Sequence, residues 1–321
     1  LLFTLPNAFL SGQPWRDTGG GLIQAHGGGV LQRGKTYYWY GENKTEGYNN
    51  KVGVSCYSSS DLKSWKDEGV VLPKSEFPEI FTDKGVCERP KVLYNAKTRK
   101  YVMWAHMDAN GYGVSEAGVA VADKPTGPFR WLYSFRPVRS STFRDMNLFQ
   151  DDDGRAYVLY SGEENQTMHV VRLNRDYTGI DGPLTEGENW ARIFVGQARE
   201  APAPFKYKGR YYIVSSGCTG WAPNPAEVAV ADRLFGPWKT LGNPCVGEGA
   251  KTTFQSQSTC VLPVPGKPGA FVYMGDRWNP KDLANSTYVW LPMTVEGEKV
   301  QIHYRDGWDF STFATLLAPK S

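Results

Sequence analysis

Five times along this chain a tight turn runs into a strand heavy with aromatic and β-branched residues. The segments are "GKTYYWYGE", "TRKYVMWAH", "GRAYVLYSG", "GRYYIVSSG" and "GAFVYMGDR", starting near residues 34, 98, 154, 209 and 269. Their spacing, about 55 to 65 residues, is a repeat period. A repeat made only of strands cannot cover both of its own faces, so its neighbours must stack on it. Two further segments nearly copy one another: "GVAVADKPTGPFRWL" (Gly118 to Leu132) and "EVAVADRLFGPWKTL" (Glu227 to Leu241), with a looser relative from Val52 to Leu72. Each is a strand of small and apolar residues, a turn, and an aromatic-led strand. About four strands fill a unit of this length. Helical periodicity is almost absent. The expectation is an all-β chain forming a five-bladed β-propeller, a single domain over residues 1–321. A β-sandwich or β-helix is the structural alternative.

Charge and cysteine content narrow the partners. The formal net charge is +3, and "RGK" and "KTRK" are short turn segments rather than a basic block, so no nucleic-acid partner is expected. No apolar run reaches the ~18 residues of a membrane span. The opening "LLFTLPNAF" lacks Met and a signal-peptide pattern, as expected of a mature or trimmed chain. Five cysteines (Cys56, Cys87, Cys218, Cys245, Cys260) contain no CxxC pair, which argues against a metal cluster and leaves at least one thiol over. Of the histidines, His106, His169 and His303 are isolated, so catalytic zinc is not expected. "DDDG" (Asp151 to Gly154) imitates part of a calcium loop without its later Glu, and reads as a β-turn.

A propeller gathers the starts of its inner strands around one axial funnel, and there the sequence places polar residues. They are His26 in "QAHGGGVL", Glu88 in "VCERPKVLY", Asp145 in "RDMNLFQ", Glu200 in "REAPAPFKYKG", and Gln255 and Gln257 in "TFQSQSTCVLPV". The bland reading is that the carboxylates cap turns or pair with their neighbours Arg89, Arg144 and Arg199. The chemical reading is that carboxylates in an aromatic funnel serve glycoside hydrolysis, moving protons and holding hydroxyls while sugars stack on aromatic faces. Trp39, Tyr112, Trp221 and Trp278 are candidate platforms, with blade packing as the competing role.

The pattern resembles glycoside hydrolase family 43. The motifs that carry the resemblance are Asp145 with Phe149 and "DDDG" in the third unit, and "EAP" (Glu200 to Pro202) before "KGRYYIV" in the fourth. The resemblance implies a five-bladed inverting glycosidase with Glu200 as general acid. Glu200 must then hold a proton at working pH, so its pKa should be raised. Asp145 would raise it by like-charge repulsion and orient it.

The family's first blade carries an Asp-Pro whose Asp is the general base; here that place reads "AHGGG". No G-x-G-x-x-G occurs, and although "GVLQRGKT" (Gly29 to Thr36) matches the letters of a phosphate loop, an aromatic strand and no helix follows it, so the glycines are not read as a phosphate cradle. They are expected to let backbone approach the axial pocket. The departure is similar to one branch, the exo-β-1,3-galactanases, which share "AHGGG", "YYWYGE", Thr219-Gly-Trp221, "SQST" (Ser256 to Thr259) and "YVWLP" (Tyr288 to Pro292). That likeness implies that Gln257 substitutes for the base, with Gln255 as fallback. Glu88 would lie near the same sugar, and Glu42, Tyr112 and Thr219 would contact the terminal sugar. A neutral amide positions water but binds a proton poorly, so Glu88 is the alternative base, with Glu42 behind it. A non-catalytic, lectin-like propeller is the third reading. His26 is expected to contact the sugar, donate to a carboxylate, help hold an axial ion, or serve as a structural histidine.

The expected activity is inverting, exo-acting release of galactose from β-1,3-galactan, an arabinogalactan backbone. A β-D-galactofuranosidase or α-L-arabinofuranosidase of the same family is the alternative. No cofactor is required for such hydrolysis, a structural calcium being allowed. The partner is a polysaccharide or oligosaccharide, the acting form a monomer. The location is extracellular or periplasmic, to which the N-x-S/T sites at Asn43, Asn165 and Asn285 add a little.

Overall fold

The computed structural model describes residues 8–318; the first seven residues of the opening "LLFTLPNAF" and the last three of the chain lie outside it. The five repeats are five sheets, antiparallel apart from the short parallel edge strand Cys245–Val246 on the fifth, and the fold is a five-bladed β-propeller. The innermost strands are His26–Arg33, Val86–Asn95, Met146–Gln150, Arg199–Tyr207 and Gln257–Pro263. Each packs beside the next, and the fifth beside the first, so the ring is closed. The aromatic repeats are the second strand of every blade: Thr36–Glu42, Lys100–Asp108, Ala156–Gly162, Arg210–Gly217 and Ala270–Arg277. The near-duplicate segments are the third and fourth strands of the second and fourth blades. The "DDDG" segment is a turn, closed by Asp151 and Gly154 backbone bonds, and its Asp151 side chain reaches Lys206 and Tyr211 of the following blade.

The strands read as continuous apolar runs because both faces are covered. In "AYVLY", Ala156, Val158 and Tyr160 join a cluster with the second blade, while Tyr157 and Leu159 join one with the fourth. The core is accordingly five wedges, one at each blade interface. The seam between the fifth and first blades is the most aromatic: Trp39, Trp65, Trp290 and Tyr288 are all buried there. Trp39 is therefore core, not a sugar platform. The seam is tied further by the antiparallel pair Phe9–Leu10 with Gly307–Trp308.

The inner strands are bent where they meet the axis. Register shifts follow His26, Glu88 and Glu200 in their respective blades. The next residue in each, Gly27, Arg89 and Ala201, has φ of 57°, 52° and 53°. A bulge re-aims the side chain beside it. Left-handed Arg and Ala are costly conformations, kept only where the surroundings enforce them. In the first blade glycine is required. A Cβ on Gly27 would lie 2.3 Å from Glu42 Oε1, and one on Gly28 would lie 2.0 Å from the Tyr40 carbonyl oxygen. The glycines thus let the strand crowd its own blade and the next. They stand behind the axial cavity and meet it through Glu42, which lines it.

Candidate active site

The bulges deliver Glu88 and Glu200 to one axial cavity of about 230 Å³, where Asp145, Gln257, Glu42, Tyr112, Trp221 and Trp278 also stand. That volume falls below the roughly 300 Å³ at which pockets for drug-sized ligands begin.

At the centre is Glu200. Burial pushes its carboxyl up to about 7, and the nearby Asp145 charge adds to the rise, against the opposing pull of Arg89, Cys218 and Gln257. Asp145 is paired with Arg89, whose Nε lies 2.8 Å from Asp145 Oδ2. The same guanidinium donates to Gln257 Oε1 at 2.5 Å and to the Ser258 carbonyl at 3.0 Å, while the Arg89 backbone N–H donates to Glu42 Oε1 at 2.9 Å. Arg89 therefore links four blades around the acid. The simple pairing with sequence neighbours does not occur: Arg144 meets Glu164, and Arg199 donates to Ser215.

Gln257 is fully committed. Its Nε2 donates to Glu200 Oε1 at 2.9 Å and to Ser216 Oγ at 3.0 Å. Its Oε1 accepts from Arg89 and, at 3.1 Å, from Trp278 Nε1. Arg and Trp side chains only donate, so the oxygen must face them, and the group is held as an amide. Gln255 is elsewhere. It lines an adjoining cavity with Asp276 and Arg277 and has no place beside the acid.

Glu88 occupies the opposite environment from Glu200. Burial opposes its charge, but His106, Lys44 and the Tyr112 hydroxyl outweigh it and hold the carboxyl down at about 2. Tyr112 donates to Glu88 Oε1 at 2.6 Å, and His106 Nδ1 lies 3.0 Å from Oε2. Glu42 is buried against Lys44, Nζ to Oε2 2.7 Å, and burial raises its pKa. Trp221 is 46% exposed and stands edge-on to Trp278 and to Tyr48, a free aromatic face at the mouth.

One expected sugar contact is corrected. His26 is wholly buried, stacked on Tyr288 with centroids 5.1 Å apart, and does not line the cavity. Burial and the Lys44 charge lower its pKa to about 3, so it is a neutral imidazole. Neither ring nitrogen has a hydrogen-bond partner among the described residues, so it donates to no carboxylate. Thr219 is exposed next to the cavity-lining Gly220 and Trp221, and its hydroxyl donates to the Ala222 carbonyl at 2.5 Å and accepts from Asn224 at 2.7 Å. Sequence reasoning missed Arg89 as a hub, and also Lys44, Tyr48, His106 and Asn165 on the wall.

A calcium ion takes six to eight oxygen ligands. The tightest donor group among the described residues is Glu88, His106 and Asp145, with ligand atoms within 4.8 Å of one another. It does not fit. His106 is held protonated by its two carboxylate neighbours, and Asp145 is neutralised by Arg89. All five cysteines are free, so none forms a disulfide.

A carboxyl whose pKa burial and a neighbouring carboxylate raise toward neutrality, in a small aromatic-rimmed cavity on a propeller axis, has the parts of a glycosidase-type site. The chain belongs to the glycosyl hydrolases of family 43, whose family pattern matches residues 28–261. It is similar to a solved family 43 β-1,3-galactosidase with galactodeoxynojirimycin, at 41% identity and TM-score 0.87, covering 94% of this chain and 100% of that one. It is also similar to an exo-β-1,3-galactanase of Phanerochaete chrysosporium solved as a variant with β-1,3-galactotriose, at 37% identity and TM-score 0.86, covering 94% and 68%. A curated "Xylosidase/arabinosidase" of Bacteroides ovatus is 25% identical over 69% of this chain and 83% of its own length.

Proposed function

We propose that this glycoside hydrolase is an inverting exo-enzyme that removes galactose from the non-reducing end of β-1,3-galactan. The observation that carries the reading is the Glu200–Asp145 pair. The acid's pKa near 7 lets it hold a proton in neutral solution, and the ionised partner stays paired to Arg89. The cavity volume suits one terminal sugar, hence exo action. The galactan preference is supported by the two structural relatives, whereas the curated relative carries a xylosidase and arabinosidase name.

Glu200 donates its proton to the leaving oxygen as the glycosidic bond breaks, and water attacks the other face of the ring. The transition state is oxocarbenium-like. Water joining such a cation becomes strongly acidic only as the new bond forms, so a weak acceptor suffices. Gln257 positions that water through its amide oxygen, the longer Trp278 bond yielding a lone pair, and the proton the water sheds as the new C–O bond forms passes along this contact to solvent. Glu88 is the alternative acceptor, but its depressed pKa makes it a weak base as well. A polymeric substrate calls for work outside the cytoplasm, and nothing in the pocket requires a second copy of the chain.

The test is hydrolysis of β-1,3-galactotriose reduced at its reducing end. The reading expects galactose first, with the galactitol retained on the disaccharide. Release of galactitol, or cleavage only of arabinofuranosides or galactofuranosides, would overturn it.

A further inference from the structure

We propose that His106, anchored by Asp108, is a positioning residue that fixes Glu88 as a permanently ionised carboxylate facing the bound sugar, so that Glu88 serves as a binding anchor and not as the proton acceptor. This rests on the sugar-binding reading of the axial cavity.

The arrangement is built from three strand positions and one loop. His106 lies directly opposite Glu88 across the first two strands of its blade. Asp108 follows two residues on, and alternate residues of a strand share a face. The imidazole therefore sits between two carboxylates, with Nδ1 3.0 Å from Glu88 Oε2 and Nε2 3.1 Å from Asp108 Oδ2. Asp108 is itself immobilised. Its Oδ1 accepts the backbone N–H groups of Ala109, Val114 and Ser115, and its Oδ2 accepts the Ser115 hydroxyl at 2.8 Å. An aspartate so saturated is an anion that cannot turn away, so it fixes the ring's orientation and keeps Nε2 protonated, while Nδ1 meets Glu88 as a close ionic contact without hydrogen-bond alignment.

Other groups face Glu88 as well. Tyr112 donates to its second oxygen, and Lys44 lies across the cavity paired to Glu42. Asp145 is within the same cluster, and its like charge would favour protonation of Glu88 were His106 neutral. Burial opposes charge on His106, but Asp108 and Glu88 outweigh it and raise its pKa to about 9. The result is a fixed anion on one wall of the pocket and, at Glu200, a protonated carboxyl on another. Two carboxylates in one cavity are held in opposite states by different partners.

The experiment follows the Glu88 carboxyl by NMR in protein labelled at the glutamate side-chain carbon, with the signal assigned by its loss in Glu88→Gln. KM and kcat for β-1,3-galactobiose are measured over the same pH range. In the native sequence Glu88 is expected to stay ionised below pH 4, with KM flat. In His106→Gln its titration is expected to rise toward or above the ordinary glutamate value near 4.3. KM should then climb about tenfold or more as pH falls through that value, with kcat changed less. Asp108→Asn should move both readouts the same way but less, and serves if His106→Gln does not fold. Ordinary titration of Glu88 in the native sequence overturns the proposal, as does an unchanged signal and KM in both variants. If the Glu88 signal shifts as expected but no galactan oligosaccharide is turned over, the sugar reading fails while the His106–Glu88 pairing stands.

Discussion

The Gln257 amide nitrogen donates to Glu200 Oε1 across 2.9 Å, while Arg89 and Trp278 both donate to its oxygen. An inverting base ordinarily stands about 6.5–9.5 Å from the acid. Gln257 is instead a direct neighbour of the acid, held as an amide. Gln257→Leu removes a donor that favours the Glu200 anion, so the alkaline limb of kcat/KM should move to higher pH. Loss of water positioning should lower kcat about a hundredfold. A pH–rate profile checks both, and an unchanged rate would transfer the water to Glu88.

Glu200 acts as a proton donor, so only its protonated form is productive. With its pKa at about 7, kcat/KM should fall as pH rises through that value. Glu200→Gln should reduce turnover by roughly 10²–10⁴ while leaving galactobiose binding measurable by calorimetry. Activity retained in this variant would sink the acid assignment.

Asp145 raises the acid's pKa by its charge, after burial. Asp145→Asn keeps the shape and removes that charge, leaving the Arg89 guanidinium beside Glu200. The alkaline limb should then move to lower pH by about one unit or more, and activity at pH 7 should drop with it. A limb that stays in place would mean burial alone sets the acid.

Gly27 is held by a short contact between its N–H and the Asp276 carboxylate and by Lys91 Nζ, which donates to its carbonyl at 2.7 Å. Gly27→Ala would place a methyl against Glu42 at a backbone conformation that alanine avoids. A loss of about 1–3 kcal/mol is expected, read as a lower midpoint in urea. KM should rise too, because Glu42 lines the cavity.

His106 also leaves a mark on stability. Its folded pKa, about 9, lies above its unfolded value near 6.5. The stabilisation it supplies is therefore complete below pH 6.5 and lost as pH rises through 9. The thermal midpoint of the native protein should fall over that window more steeply than that of His106→Gln. Parallel curves would mean the imidazole is neutral in the folded state.

The five blades were legible because each strand is buried on both faces and must carry an apolar run, and because turns punctuate those runs at a regular period. Glu88, Asp145, Glu200 and Gln257 were legible because the start of an inner strand points to the axis. His26 occupies the same bulge position as Glu88 and Glu200 yet is buried, because the glycines behind it draw its strand against Glu42 and Tyr288 fills the space over the ring. Arg89 could not be read as a hub, since its partners lie 47 to 169 residues away and meet only when the ring closes. His106 left only a faint trace: the His-x-Asp spacing puts His106 and Asp108 on one face of their strand, and the pairing that sets Glu88 opposite His106 appears only in the fold.

The most direct measurement is the anomeric form of the first galactose released from β-1,3-galactan, followed by proton NMR before mutarotation. The account predicts α-galactose, released one residue at a time with Glu200 intact. Initial β-galactose would contradict it, because retention requires a carboxylate nucleophile about 5–5.5 Å from the acid, and the group in contact with Glu200 is the amide of Gln257.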